Sequence, residues 1–232
     1  MHDFQTTRWS LISQVRQDSD SGRVRTALGE LCQRNWYPVY AFIRRRGIGV
    51  EDAQDLTQGF FQHLLTHDLI SRAQREKGRF RSFLLGCLKH HLDNEWQKGT
   101  SKKRGGHLSP VHLDAMDAEE RYRLESRSMA ADDDTVFDQQ WAQSILDQAV
   151  ALLRTEQADR GRFELMLPAL LGNEDRVALM EATGMNEGSL KVAIHRLRKR
   201  YRELLRQVVA DTVETDAEVD EELAYLTACL RL

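Results

Sequence analysis

The stretch Asp175-Arg-Val-Ala-Leu-Met-Glu-Ala-Thr-Gly-Met-Asn-Glu-Gly-Ser-Leu-Lys-Val-Ala-Ile-His-Arg-Leu-Arg-Lys-Arg-Tyr201 decides the fold class. A short helix runs to Ala182, Gly184 supplies a turn, and Asn186 is suited to cap the helix that follows. On that second helix Leu190, Ile194, Leu197 and Tyr201 recur at i, i+4, i+7 and i+11, which makes one stripe for packing. The opposite face carries Gly188, Ser189, Lys191, Val192, His195 and Lys199, flanked by Arg196 and Arg198. A helix packed on one side and basic on the other suits the major groove of duplex DNA, with its flanking cations reaching phosphates.

The same period of about 3.6 recurs along the chain. Thr6 or Thr7 is placed to cap a first helix carrying Trp9, Ile12 and Val15. A second runs through Leu28, Leu31, Trp36, Val39, Tyr40 and Ile43 and ends at Arg44-Arg45-Arg46-Gly47, cations and a glycine suited to a helix C-terminus. A third starts near Val50 with Ala53, Leu56, Phe60 and Leu64. A fourth spans about residues 81–97, with Phe83, Leu84, Cys87, Leu88 and Leu92 inward. Residues 99–134 have mixed charge and few large apolar side chains. Helices resume with Phe137, Trp141, Ile145, Ala149 and Leu152, and again around residues 163–171. Only 3 Pro and 14 Gly interrupt 232 residues, and no β-branched runs of period two mark strands. The expectation is an all-α protein: helical domains at 1–98 and 135–207, a linker at 99–134, and an acidic extension at 208–232.

Charge separates the parts. The net charge is only −3, from 33 Lys+Arg and 36 Asp+Glu. Residues 72–104 nevertheless hold ten basic side chains against three acidic, and residues 186–206 seven against two. After residue 207 there are seven acids against Arg231 alone. Solvated helix faces interleave their acids with their bases; two acid-poor segments point instead to two contacts with one polyanion. In the acidic extension Val219, Leu223, Leu226 and Leu230 fall near one face, predicting an amphipathic helix that docks back and shields a basic segment. A merely solubilising tail is the alternative.

Other classes find little support. No apolar run approaches a membrane span, and Met1-His2-Asp3-Phe4-Gln5 does not read as a secretory signal, so a cytoplasmic protein is expected. Cys32, Cys87 and Cys229 form no CxxC pair and read as buried thiols. His63 and His67 have chelating spacing without a third ligand, and Asp132-Asp133-Asp134 reads as a helix cap rather than a magnesium site. No cofactor or metal is called for.

At this point a resemblance becomes specific. Gly184-Met-Asn-Glu-Gly-Ser-Leu-Lys-Val-Ala-Ile-His-Arg-Leu-Arg-Lys-Arg200 resembles the DNA-reading C-terminal domain of bacterial extracytoplasmic-function sigma factors. Tyr37-Pro-Val-Tyr-Ala-Phe-Ile-Arg-Arg-Arg-Gly47, Asp52-Ala-Gln-Asp-Leu-Thr-Gln-Gly-Phe-Phe61 and Gly78-Arg-Phe-Arg-Ser-Phe-Leu84 resemble that family's other domain, in the right order. The resemblance covers about residues 25–98 and 138–207.

It implies a nucleoid-associated subunit of RNA polymerase, with no enzyme activity of its own. The first domain would grip the β′ clamp helices through Asp52, Asp55, Gln58 and Gln62 and melt the −10 element. Residues 67–81 would receive a flipped base. Arg79, Phe80, Arg81, Lys89, His90 and Trp96 would meet the single strand, which aromatic and cationic side chains suit. The second domain would dock on the β flap and read the −35 element. The sequence departs from the family at His90, where Asn is common, and at Gln54 and Gly59, where acids are common. Lost carboxylates weaken attraction to a basic clamp, and a phosphothreonine would restore about −1.5 to −2 charges. Thr57 has the motif position for this but sits towards the apolar face of the helical wheel; Thr66 shares the outer stripe of Asp52, Asp55, Gly59 and Gln62. The alternative is that the remaining Asp residues suffice and both threonines are structural. The resemblance thus implies control by a Ser/Thr protein kinase or an anti-sigma factor. Two rivals remain. A free-standing helix-turn-helix regulator leaves the aromatic, basic segment at 78–98 unexplained, and a metal-dependent nucleic-acid enzyme lacks ligands.

Overall fold

The computed structural model describes residues 21–66, 79–99, 119–122, 132–170, 172 and 175–231, and every regular element among them is helical. In order these are α1 (Ser21–Arg34), α2 (Trp36–Arg45), α3 (Val50–Thr66), α4 (Phe80–Gly99), α5 (Asp133–Glu156), α6 (Arg160–Leu170), α7 (Arg176–Thr183), α8 (Glu187–Ala210) and α9 (Asp216–Cys229). The expected helix around Trp9 lies outside the described residues, as do residues 67–78 and most of 99–134. The chain packs as two compact units, one of Met1–Ser144 with Ala210–Leu232, the other of Ile145–Val209.

In the first unit, the single helix expected through residues 28–43 is broken at Asn35, which is buried with φ −114° and ψ 27°. Pro38 supplies the reason. Inside a continuous helix its ring would meet the carbonyl of residue 34, whereas in the first turn of a new helix its missing N–H costs nothing. α2 stops at Gly47, whose φ of +78° is left-handed and whose N–H reaches the Arg44 carbonyl at 3.0 Å.

The core of this unit is aromatic. Phe42 meets Phe137 edge to face with centroids 6.0 Å apart, and Phe80 lies 5.8 Å from Trp141. All four are fully buried. Each contributes about 1.5–3 kcal/mol by leaving water. These contacts move a boundary. Residues 135–144 were expected in the second domain, but Phe137 and Trp141 belong to the first unit. Phe137, Trp141, Ile145 and Ala149 form one unbroken buried stripe, so periodicity alone gives no sign of where along α5 the packing partner changes.

Part of the expected linker is also packed. Residues 119–122 form a helical turn, where the buried Glu119 accepts from Tyr40 Oη at 2.7 Å and from Arg44 Nε and Nη2 at 2.9 Å each. Burial and this carboxylate push the Tyr40 hydroxyl up to about 12.

The acidic extension returns to the first unit. The Phe80 N–H donates to the Thr212 carbonyl at 2.9 Å, and a capping box between Thr215 and Glu218 starts α9. The buried face of α9 is Val219, Glu222, Leu226 and Cys229; Leu223 is half-buried and Leu230 exposed. The helix is thus rotated from the expected stripe, and a carboxylate takes an apolar position.

In the second unit Asp175 caps α7 by accepting from the Ala178 N–H at 3.1 Å. Gly184, at φ +67°, ends it, and Asn186 accepts from the Ser189 N–H at 2.8 Å to open α8. Glu156 is bridged to Arg200 at 2.6 and 2.8 Å.

Candidate nucleic-acid interface

The face of α8 expected to meet duplex DNA is open. Gly188, Ser189, Lys191, Val192, His195, Arg196 and Lys199 are all exposed, whereas Leu190, Ile194 and Leu197 are buried and Tyr201 is half-buried. Lys191 holds Glu187 one turn back at 2.8 Å; with both ends in solvent this pair is weak and yields readily to a phosphate or base. A shallow cavity of about 120 Å³ opens beside it, with Arg176, Lys191, His195 and Arg198 supplying cationic or protonatable groups and Leu190 and Ile194 apolar wall. On α7, Val177 is 68% exposed beside this surface's Arg176.

Arg198 departs from expectation. It is half-buried and its Nη2 donates to the Ala169 carbonyl at 2.6 Å, in the last turn of α6. Those final carbonyls have no helical partners, and a cation there also meets the negative end of the helix. This bond ties α8 to α6.

On α4 the expected strand-binding residues split three ways. Phe80 is fully buried against Trp141 and Phe83, so it is core and not offered to a base. Arg81 is 7% exposed, its Nε 3.0 Å from Glu222 Oε1 and its Nη1 bonded to Asp138. Its guanidinium also stacks 4.4 Å from the Tyr225 ring, whose hydroxyl donates to Asp138. Burial and that carboxylate raise the Tyr225 hydroxyl above its ordinary value. Arg79 joins Glu221 at 2.9 Å and Glu222 at 3.0 Å. These two arginines, expected to face a nucleic-acid strand, are covered by carboxylates from the other end of the chain.

Further along α4, Lys89 is half-buried and meets Asp134 at 2.6 Å, while Asp132 caps α5 by accepting from the Thr135 N–H at 3.0 Å. His90 is exposed, and Trp96 is 54% exposed with the Arg46 guanidinium 5.6 Å from its ring. Trp96 therefore stands outside the core.

The outer face of α3 carries Asp52 and Asp55, both exposed, with Gln54, Gln58, Gly59 and Gln62 half-buried. A Cβ at Gly59 would meet nothing within 4 Å, so a larger side chain fits there. Thr57 is not on this face. It is fully buried and its hydroxyl donates to the Ala53 carbonyl at 2.6 Å. Phosphoryl transfer to it would require α3 to open, since two added charges cannot stay in a packed core. Thr66 ends α3, and its side chain lies outside the described residues.

Sequence reading anticipated an acidic extension that docks back on a basic segment, but not which groups close over the start of α4: Asp138, Glu221, Glu222 and Tyr225. One sign was available, an acid at Glu222 three residues after Val219 on the face that packs.

No group of three or more His, Cys, Asp and Glu side chains that could hold a metal occurs among the described residues, and no described helix is long and apolar enough to cross a membrane. No family model matches the chain, and neither do the curated proteins or solved structures with which it was compared.

Proposed function

We propose that the chain is a sigma subunit that directs bacterial RNA polymerase core to promoters, with a helix-turn-helix domain that reads the −35 element as duplex and a first domain that meets polymerase and the −10 strand. The observation that carries the reading is the open face of α8: Lys191, Val192 and His195 stand exposed after a left-handed glycine turn, on a helix whose other stripe is packed. Lys and His side chains supply hydrogen bonds to base edges and Val192 an apolar contact for a thymine methyl. Arg196 and Lys199, on the flanks, suit phosphates.

Two features favour a polymerase subunit over a free-standing regulator. Trp96 and His90 are exposed on α4, where an unstacked base finds a ring and a hydrogen-bonding partner. Asp52 and Asp55 offer a small acidic face to a basic clamp. That face is thin, because Gln54 and Gly59 stand where carboxylates would strengthen it. Added negative charge there, from a phosphorylated threonine or from substitution, raises affinity for core; a phosphate on Thr57 acts only with local opening of α3.

Run-off transcription with purified core polymerase on a linear promoter template tests the reading. Promoter-dependent initiation is expected. Sequence-specific duplex binding with no initiation would replace it by the free-standing regulator.

A further inference from the structure

We propose that α9 is an intramolecular occupant of a nucleic-acid backbone site, in which Glu221 and Glu222 take the places of phosphodiester oxygens and a single DNA strand gains Arg79 and Arg81 by displacing them. The proposal rests on the reading of α4 as a strand-binding helix and adds the element that regulates it.

The arrangement is that of an anion site already filled. α4 is a 20-residue helix with no acid in its first turn, so its positive end is not neutralised by its own sequence. Arg79 and Arg81 flank that end, and both converge on Glu222, with Arg79 also holding Glu221. Asp138, on α5, keeps one side of Arg81 when α9 leaves, so the strand gains the side that Glu222 occupies. A guanidinium fork donates to a carboxylate and to a phosphate in much the same geometry, so the acids of α9 are chemical substitutes for a DNA backbone. Tyr225 adds a second likeness, its ring stacked 4.4 Å from the Arg81 guanidinium, a place where a base fits as well.

The hold has an inner and an outer part. Glu222 is 1% exposed, with Val219, Leu226 and Cys229 buried beside it. Glu221, in contrast, is paired to Arg79 with its side chain 68% exposed. A strand arriving at Arg79 exchanges first with Glu221, at little desolvation cost, and then with Glu222. The capping box at Thr215 and Glu218 satisfies the first turn of α9 from within, so the helix leaves without losing that cap.

The full chain is titrated against a short fluorescein-labelled single-stranded DNA oligonucleotide by fluorescence anisotropy, at low and moderate salt. Glu221→Gln should tighten binding about twofold and Glu221→Gln/Glu222→Gln about fivefold or more, because each change removes a carboxylate that competes with phosphate for a guanidinium. Adding Arg79→Gln should abolish the gain. Circular dichroism melts check that each variant is folded; if the double variant is not, the exposed Glu221→Gln change alone must still tighten binding. In the wild-type chain, hydrogen exchange of residues 216–229 should quicken when the oligonucleotide binds. Unchanged or weaker binding by Glu221→Gln, or an α9 that stays equally protected in the DNA complex, overturns the proposal. Run-off transcription separates this from the parent reading: initiation by wild type with no gain from either Gln variant leaves the sigma reading standing and removes the displaced helix. A gain in strand binding without any initiation keeps the site and removes the sigma reading.

Discussion

α4 and α8 both lie in basic segments of the sequence, 72–104 and 186–206, yet one segment has its cations taken and the other presents them. On α8, Lys191, His195, Arg196 and Lys199 are exposed, and Lys191 is held only by an acid one turn away in solvent. At the start of α4, Arg79 and Arg81 are claimed by Glu221, Glu222 and Asp138, residues 57 to 142 positions distant. Both segments are poor in acids, so the sequence signal is of one kind. What differs is a long-range partner, and that partner decides whether a basic segment is a surface or a buried ion-pair network.

The largest way to break this contrast is to remove one member of the network. Arg81→Ala or Glu222→Ala should destabilise the first unit by about 3 kcal/mol, the low end for a broken buried pair, because Glu222 keeps Arg79 and Arg81 keeps Asp138. Urea unfolding followed by circular dichroism measures it; a loss within about 0.5 kcal/mol, usual for surface sites, would show that the network is solvated. Next comes Arg198→Ala, expected to cost about 1.5–3 kcal/mol in the stability of the second unit, since a charged donor leaves the Ala169 carbonyl. If Arg198 were instead a phosphate contact, the melt would be unchanged and only DNA affinity would fall. Lys191→Ala and His195→Ala should leave stability alone and each weaken duplex promoter binding by about 1–3 kcal/mol, relaxing preference at one base pair. Asn186→Ala should cost only about 1 kcal/mol, through the lost cap of α8.

A change on α3 sharpens the comparison from the acidic side. Gln54→Glu with Gly59→Glu should raise affinity for core polymerase, more at low salt than at moderate salt, without altering the fold. Gly59 has the space for it. Tight wild-type binding with no gain from the added carboxylates would mean that Asp52 and Asp55 suffice.

The all-helical class, the starts of α3 and α8, the span of α4 and the end of α7 were legible to within a residue or two because each rests on local chemistry. The apolar period, Gly47 and Gly184 at left-handed positions, and Asn186 as a cap all lie within a few residues of what they determine. Three things were not legible. The break at Asn35 was signalled by Pro38 but masked by the apolar stripe that runs through it. The burial of Phe80 depends on Trp141, sixty-one positions away, and a Phe between two arginines reads equally as base platform or core. The face of α9 was misjudged because Glu222 was counted as polar and therefore outward, whereas Arg79 and Arg81 make burial of its carboxylate tolerable. Thr57 shows the reverse case, where the helical wheel put the side chain towards the apolar side and the structure places it there.

The most direct test of the account is strand opening at a promoter by the chain together with core polymerase, followed by permanganate reactivity of thymines in the −10 region. The account predicts reactive thymines only when chain and core are both present, with the signal lost in Lys191→Ala/His195→Ala and increased in Glu221→Gln. Protection of the duplex by the chain with no reactive thymines, with or without core, would contradict it.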